Sequence, residues 1–190
     1  MINFEKLNAL ENEVFSCMKC QEVIASRLYP MPGFYGNDIR IMVVGINPGP
    51  WRERDREVLR SFNNDFRRTY AYGIKHCLIG EFLTKVFENM GISWDNVFFT
   101  NIIKCATPGV RMPNELEVLN CKSYLIQQIE IVKPFNYLFL GNFVAREFGF
   151  SQILPFVSDI SSERIIAIPH PTYLRKRGLE SSIYRFLAEI

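Results

Sequence analysis

Four short runs of apolar residues constrain this chain more than any other feature: Ile39–Ile46, Val97–Ile103, Tyr137–Leu140 and Arg164–Ile168. They are nearly continuous rather than alternating, as strands buried on both faces are. Helical patterns separate them. Leu78–Met90 places Phe82, Leu83, Val86 and Phe87 on one face, and Gly91 follows as a stop. Asn114–Val132 opens after Pro113 with Asn114-x-x-Glu117, a variant of the capping box, and carries Leu116, Leu119, Leu125, Ile129 and Val132. A shorter helix is expected after Gly141, and another near Ser181–Ala188. Buried strands alternating with helices predict a three-layer α/β/α fold around a central four-stranded parallel sheet.

In such sheets ligands bind beyond the carboxyl ends of the strands. That rule brings four unusual loops to one rim: Gly45-Ile46-Asn47-Pro48-Gly49-Pro50, the segment Asn101–Cys105, the stretch after Gly141, and Pro169–Gly178. The first holds one Asn between glycines and prolines, a rigid frame suited to aiming an amide side chain.

At 190 residues, without repeats, low-complexity tracts or a Ser/Gly linker, residues 1–190 are expected to form one domain. No apolar run approaches the roughly 20 residues that span a bilayer, so no membrane partner is expected. The first residues, MINFEKLNALENEV, mix acids and bases and lack the apolar core of a secretory signal, which points to a cytoplasmic protein. The net charge of +2 says nothing for nucleic acid by itself. Arg52, Arg54, Arg56, Arg60, Arg67 and Arg68 are interleaved with acids, as on a solvated helix face. Arg175-Lys176-Arg177 has no acid beside it and is the better candidate for phosphate contact.

Five cysteines occur, at 17, 20, 77, 105 and 121. A cytoplasmic protein has little use for disulfides, so grouped cysteines suggest metal. Cys17-x-x-Cys20 is a two-thiolate knuckle, and Cys105 and Cys121 bracket a loop and the first turns of a helix. These four suit a centre ligated entirely by sulfur, and ligand type alone does not separate zinc from a [4Fe–4S] cluster. Cys77 has no partner in any spacing and is expected to be a small buried hydrophobe.

The segment Thr100 to Pro134, "TNIIKCATPGVRMPNELEVLNCKSYLIQQIEIVKP", resembles the iron–sulfur uracil-DNA glycosylases of bacteria and archaea, with Thr100, Asn101, Lys104, Cys105, Pro108, Arg111, Pro113, Glu117 and Cys121 as the matching positions. Cys17-x-x-Cys20, "LGNFVAREF" and "IPHPTYL" are similar to the same family, and the likeness covers most of the chain, least of all residues 50–77. The first motif departs: the iron–sulfur enzymes usually carry Gly-Glu-x-Pro-Gly, whereas Gly45-Ile46-Asn47-Pro48-Gly49 resembles the mismatch-specific and single-strand-selective glycosylases.

The resemblance implies a DNA glycosylase that cuts the N-glycosidic bond of uracil and leaves an abasic site, acting on single- or double-stranded DNA as a monomer. It implies a [4Fe–4S] cluster, rather than zinc, on Cys17, Cys20, Cys105 and Cys121. Asn47 would orient the attacking water, and His170 would donate a hydrogen bond to uracil O2 as charge builds there. Asn101, with Gly45 and Ile46, would face the base, and Tyr72 would stack on it, with Phe66 and Tyr70 nearby in sequence. Pro48, Gly49 and Pro50 would approach DNA, Leu174 would wedge into the minor groove, and Thr172, Arg175 and Arg177 would meet phosphates. No lysine occupies the Asn47 or His170 motifs, so no lyase step is expected. The Asn-bearing turn leaves hypoxanthine, xanthine and mismatched thymine open as targets. The alternative is an iron–sulfur protein that binds nucleic acid without catalysis.

Overall fold

The computed structural model describes residues 2–26, 30–50 and 53–189. In chain order its helices are α1 Phe4–Phe15, α2 Gln21–Ala25, α3 Glu53–Ser61, α4 Phe66–Lys75, α5 Leu78–Asn89, α6 Glu115–Val132, α7 Asn142–Glu147, α8 Pro171–Arg177 and α9 Glu180–Ala188. Its strands are β1 Phe34–Tyr35, β2 Ile41–Gly45, β3 Val97–Asn101, β4 Asn136–Leu140, β5 Phe156–Ile160 and β6 Glu163–Ile168.

The sheet has the order β1-β3-β2-β4-β6-β5. Its inner four strands are parallel, and each corresponds to one of the apolar runs. The expectation of a four-stranded sheet falls short by two edge strands, β1 and β5, which pair antiparallel to β3 and β6. Both lack the buried-strand pattern: β1 has two residues between Gly33 and Gly36, and β5 is largely accessible along its length.

Strand side chains alternate between faces, and here both faces are covered. Ile41, Val43, Val97, Phe99, Leu138 and Ile166 belong to a core shared with α5, α8 and α9. Met42, Val44, Phe98, Phe139, Ile165 and Ala167 belong to a second core shared with α1, α6 and α7. The capping box at the start of α6 forms as expected, with the Asn114 side chain taking the Glu117 N–H and the Glu117 carboxylate taking the Asn114 N–H, both at 2.9 Å. Leu116 and Leu119, expected on its apolar face, are exposed. The buried stripe runs instead through Val118, Cys121, Leu125 and Val132, at the three- and four-residue spacing of one helix face.

The segment 171–177, expected as a loop, is helix α8. Its signals are Pro171 at the first helical position and Gly178 at the C-cap, where φ is +66°. Of the charges that follow the first turn, Arg52 lies outside the described residues. None of the described helices is long and apolar enough to cross a membrane.

Candidate active site

The parallel strands present their carboxyl ends to one edge in the spatial order β3, β2, β4, β6. The connections change side at β2, since β3 lies on one side of it and β4 on the other. Open α/β sheets bind ligands at such a switch point. The first motif leaves β2 there, flanked by Asn101 at the end of β3 and Gly141 at the end of β4.

Gly45 sits directly opposite Asn101 in the β2–β3 register. A methyl group on Gly45 would stand 2.5 Å from Asn101 Oδ1, so glycine is what lets this amide lie against the strand end. Pairing continues beyond the strands, with the Ile102 N–H donating to Gly45 O at 3.0 Å and the Ile103 N–H to Ile46 O at 2.9 Å. The two motifs are therefore one rigid unit. Pro48 is buried, whereas Gly49 is exposed.

Asn47 reaches across this unit. Its Nδ2 donates to Thr107 Oγ1 at 3.2 Å. The Thr107 hydroxyl spends its own proton on the Arg111 carbonyl, so it can offer Asn47 only a lone pair. That fixes which end of the amide is which. Oδ1 takes no hydrogen bond among the described residues, and a hydrogen-bond acceptor is left for a polar guest.

His170 caps α8. Its Nδ1 accepts the Thr172 N–H at 3.3 Å, which makes Nε2 the protonated nitrogen of the neutral ring. Burial holds the His170 pKa below its ordinary value, favouring that neutral form. Gly141, whose φ is +100°, lies against the His170 backbone: a Cβ built on it would meet His170 Cβ at 3.4 Å. That backbone conformation is essentially restricted to glycine.

Beside these groups is a cavity of about 460 Å3. Gly49 and Pro50 from the first motif, Thr69, Tyr70 and Ile74 from α4, Cys77 at the start of α5, and Thr172 of α8 line it. Asn47, Asn101 and His170 do not line it; Asn101 and His170 bond the lining residues Tyr70 and Thr172, and Asn47 stands two residues before the lining Gly49. Asn101 lies behind Tyr70: its Nδ2 donates to Tyr70 Oη at 2.8 Å, and it is only 2% exposed.

Several expected contacts are placed elsewhere. Tyr72, the expected stacking aromatic, faces outward from α4 and stacks on His76 with ring centroids 4.1 Å apart. Two residues along a helix is about half a turn, so Tyr70 turns inward where Tyr72 cannot. Phe66, at the start of α4, packs near Phe15. Leu174, the expected wedge, is 1% exposed in the core beneath the sheet, because α8 buries it with Ile183 and Leu187. Thr172, Arg175 and Arg177 are exposed on α8, with Arg175 within 3.3 Å of Glu81 and Arg177 over the Tyr173 ring.

Cys105 and Cys121 of the grouped cysteines each lie within electrostatic reach of Cys17 and Cys20. Burial first, then the charges of Cys121, Cys17 and Cys20, push the Cys105 thiol up to about 12. Burial also raises Cys121, whose sulfur accepts the Lys104 N–H at 3.4 Å. Arg111 fastens the surrounding segments, bonding Glu117 of α6 at 2.8 Å and Glu22 of α2 at 2.9 Å. Among the described residues no three His, Cys, Asp or Glu side chains are gathered tightly enough to hold a single metal ion. The cysteines nevertheless share one neighbourhood, since the Cys105 thiol feels the charges of Cys121, Cys17 and Cys20. Cys77 stands apart, half-buried, with its thiol on the Ile74 carbonyl.

Residues 32–188 match the family model described as the Uracil DNA glycosylase superfamily. The chain belongs to that superfamily. It is 32% identical over 138 residues to a Type-4 uracil-DNA glycosylase of Saccharolobus solfataricus, covering 72% of this chain and 56% of that protein. It is 30% identical over 142 residues to that of Archaeoglobus fulgidus, covering 75% and 63%. The match to the Thermotoga maritima Type-4 protein is 27% over 184 residues, covering 93% and 87%. The chain thus spans less than two thirds of the length of the first two relatives.

In this member of the uracil DNA glycosylase superfamily, the contacts of three groups at the site are set by the fold and not by a local sequence pattern. Thr107 and Tyr70 have no distinctive spacing; only the fold shows that they hold Asn47 and Asn101. Lys104 stands inside the quoted motif, yet its burial was not legible. Lys104 is 1% exposed, and its Nζ donates to Thr100 Oγ1 at 2.8 Å, Asn101 O at 2.7 Å and Gln128 Oε1 at 2.6 Å. Burial, the largest cause, lowers its pKa to about 7. Gln128 passes the network on to Pro32 O at 2.6 Å.

Proposed function

We propose that this chain is a monofunctional DNA glycosylase that hydrolyses the N-glycosidic bond of uracil in DNA and leaves an abasic site. The observation that carries the proposal is the fixed state of His170: Nδ1 is occupied by the Thr172 N–H, so the neutral ring presents Nε2–H. A neutral donor strengthens its hydrogen bond as negative charge grows on a leaving base, without first needing a proton.

The step proceeds as follows. The target nucleotide is extruded from the stack into the cavity beside Tyr70. The C1′–N1 bond breaks, its electron pair goes to uracil, and positive charge develops on the sugar. His170 Nε2–H donates to O2, where the charge gathers. Asn47 Oδ1 orients a water whose oxygen bonds to C1′; an amide is too weak a base to keep the proton, which passes to solvent. Asn101, with Gly45 and Ile46 shaping its strand end, supports the base-reading side. Gly49, Pro50, Thr172, Arg175 and Arg177 supply the DNA-facing surface, and single and double strands both offer phosphates to it.

Cys17, Cys20, Cys105 and Cys121 would hold a [4Fe–4S] cluster. Their shared neighbourhood and all-sulfur character suit a cluster in which each thiolate meets its own iron, and the resemblance to iron–sulfur glycosylases favours it over zinc. Bound there, the cluster supplies a structural cross-link with no open coordination position. We further infer that residues 1–190 work as one cytoplasmic, monomeric domain, and that the Asn-bearing first motif extends the range to other deaminated or mismatched bases.

The test is a panel of single- and double-stranded oligonucleotides carrying uracil, hypoxanthine, xanthine or thymine opposite guanine. Alkali-labile sites at uracil, lost in His170→Ala, support the proposal. Tight binding with no labile site on any base would favour the non-catalytic alternative.

A further inference from the structure

Tyr70 is 8% exposed, lines the cavity, and packs edge-on against Phe34 and Phe99. Its hydroxyl oxygen accepts from Asn101 Nδ2 at 2.8 Å, which uses one lone pair. Its proton has no acceptor among the described residues. Buried tyrosine hydroxyls normally donate, because a stranded polar proton costs free energy. The hydroxyl is also within electrostatic reach of Cys77, another cavity-lining residue, and burial keeps the phenol protonated well above neutral pH.

The geometry points to Tyr70 as a further specificity-determining residue of the base cavity, beside Asn101: its hydroxyl donates to the exocyclic oxygen of a deaminated base, while the Asn101 amide holds the phenol oxygen in place. This rests on the glycosylase function proposed above. Deamination replaces an exocyclic amino group by an oxo group, at position 4 of the pyrimidine in uracil and position 6 of the purine in hypoxanthine and xanthine. One hydroxyl donor therefore serves the class. An amino group at that position would bring a second donor against the phenol's proton and leave both unpaired, which is the strongest kind of discrimination a small site makes. The Asn101 hydrogen bond prevents the phenol oxygen from swinging away. Gly45 in turn holds the Asn101 amide in place.

The experiment compares wild type and Tyr70→Phe in single-turnover excision of uracil and of 4-thiouracil, whose sulfur is a much weaker acceptor. Wild type should prefer uracil. Tyr70→Phe should lose uracil excision by about 10- to 100-fold, the scale of one buried hydrogen bond, and should lose the preference for oxygen over sulfur. Phenylalanine keeps the ring packing but strands the Asn101 Nδ2 donor, so a stability loss of about 1–3 kcal/mol is expected and rates are compared at a temperature where both proteins are folded. In parallel, the Tyr70 Cζ carbon resonance of wild type is followed while free uracil is titrated, and a shift is expected. An unchanged rate and preference in Tyr70→Phe overturns the inference, as does a Cζ resonance that ignores uracil. A wild type that excises no base overturns the glycosylase function instead, and the resonance still answers for Tyr70.

Discussion

Asn101 and Gly45 face each other across the β2–β3 ladder so closely that no side chain fits between them: a Cβ on Gly45 would lie 2.5 Å from Asn101 Oδ1. Asn101 cannot simply turn aside, because its Nδ2 is held by Tyr70 at 2.8 Å. Gly45→Ala should therefore break the Asn101–Tyr70 hydrogen bond. We expect about 1–3 kcal/mol of lost stability from overpacking and the broken bond. The loss of uracil excision should exceed what the melting shift explains, and denaturant melts beside single-turnover rates check this.

His170 gives the pH dependence a definite sign. Its folded pKa is lowered by burial, so as pH falls below the ordinary value of 6.5 the unfolded chain takes a proton before the folded one does. Stability is fully present above that value, declines towards the lowered folded pKa, and levels off below it. Protonation would also set Nδ1–H against the Thr172 N–H. The acid limb of the excision rate should thus fall below pH 6.5 and be absent from the residual activity of His170→Gln.

Thr107 acts through Asn47. Thr107→Val removes the lone pair that fixes the Asn47 amide, and kcat should fall by about 10-fold with little change in KM, as expected when orientation rather than binding is lost. Asn47→Ala should cost about 100-fold or more. A double variant no slower than Asn47→Ala alone would establish that Thr107 works through Asn47.

Leu174 distinguishes core from wedge. Leu174→Ala should lower stability by about 2–5 kcal/mol, the cost of emptying a buried leucine site. DNA affinity of the protein that remains folded should be near wild type. A large affinity loss without a stability loss would return Leu174 to the DNA interface.

Purified protein should be brown and carry iron and inorganic sulfide in the ratio of a [4Fe–4S] cluster. Cys105→Ser should bleach it and lower its melting temperature, because α2 and the 105–121 loop lose their cross-link. A colourless protein with stoichiometric zinc would contradict the cluster assignment.

The parallel sheet was legible because strands buried on both faces must be apolar at every position, as Ile41–Val44 and Val97–Phe99 are. β1 and β5 were not legible, since edge strands bury one face at most and two residues carry no period. At the site, Gly45, Asn47, Asn101 and His170 announce themselves through rigid or unusual neighbours. Thr107 and Tyr70 do not. Their roles come from contacts 60 and 31 residues away in sequence, and no local pattern encodes such a partner. Leu174 misleads for the opposite reason: it stands next to the basic Arg175–Arg177 cluster in sequence, while helix α8 turns it to the other side.

In the proposed reaction the Asn47–His170 rim breaks a glycosidic bond. The most direct measurement is release of free uracil from a duplex oligonucleotide with a single uracil, by wild type, Asn47→Ala and His170→Ala at neutral pH. Wild type is predicted to release uracil and leave one alkali-labile site, with both variants slowed by about 100-fold or more while still binding the duplex. Release that is equally fast in all three proteins, or absent from the folded, cluster-loaded wild type, would contradict it.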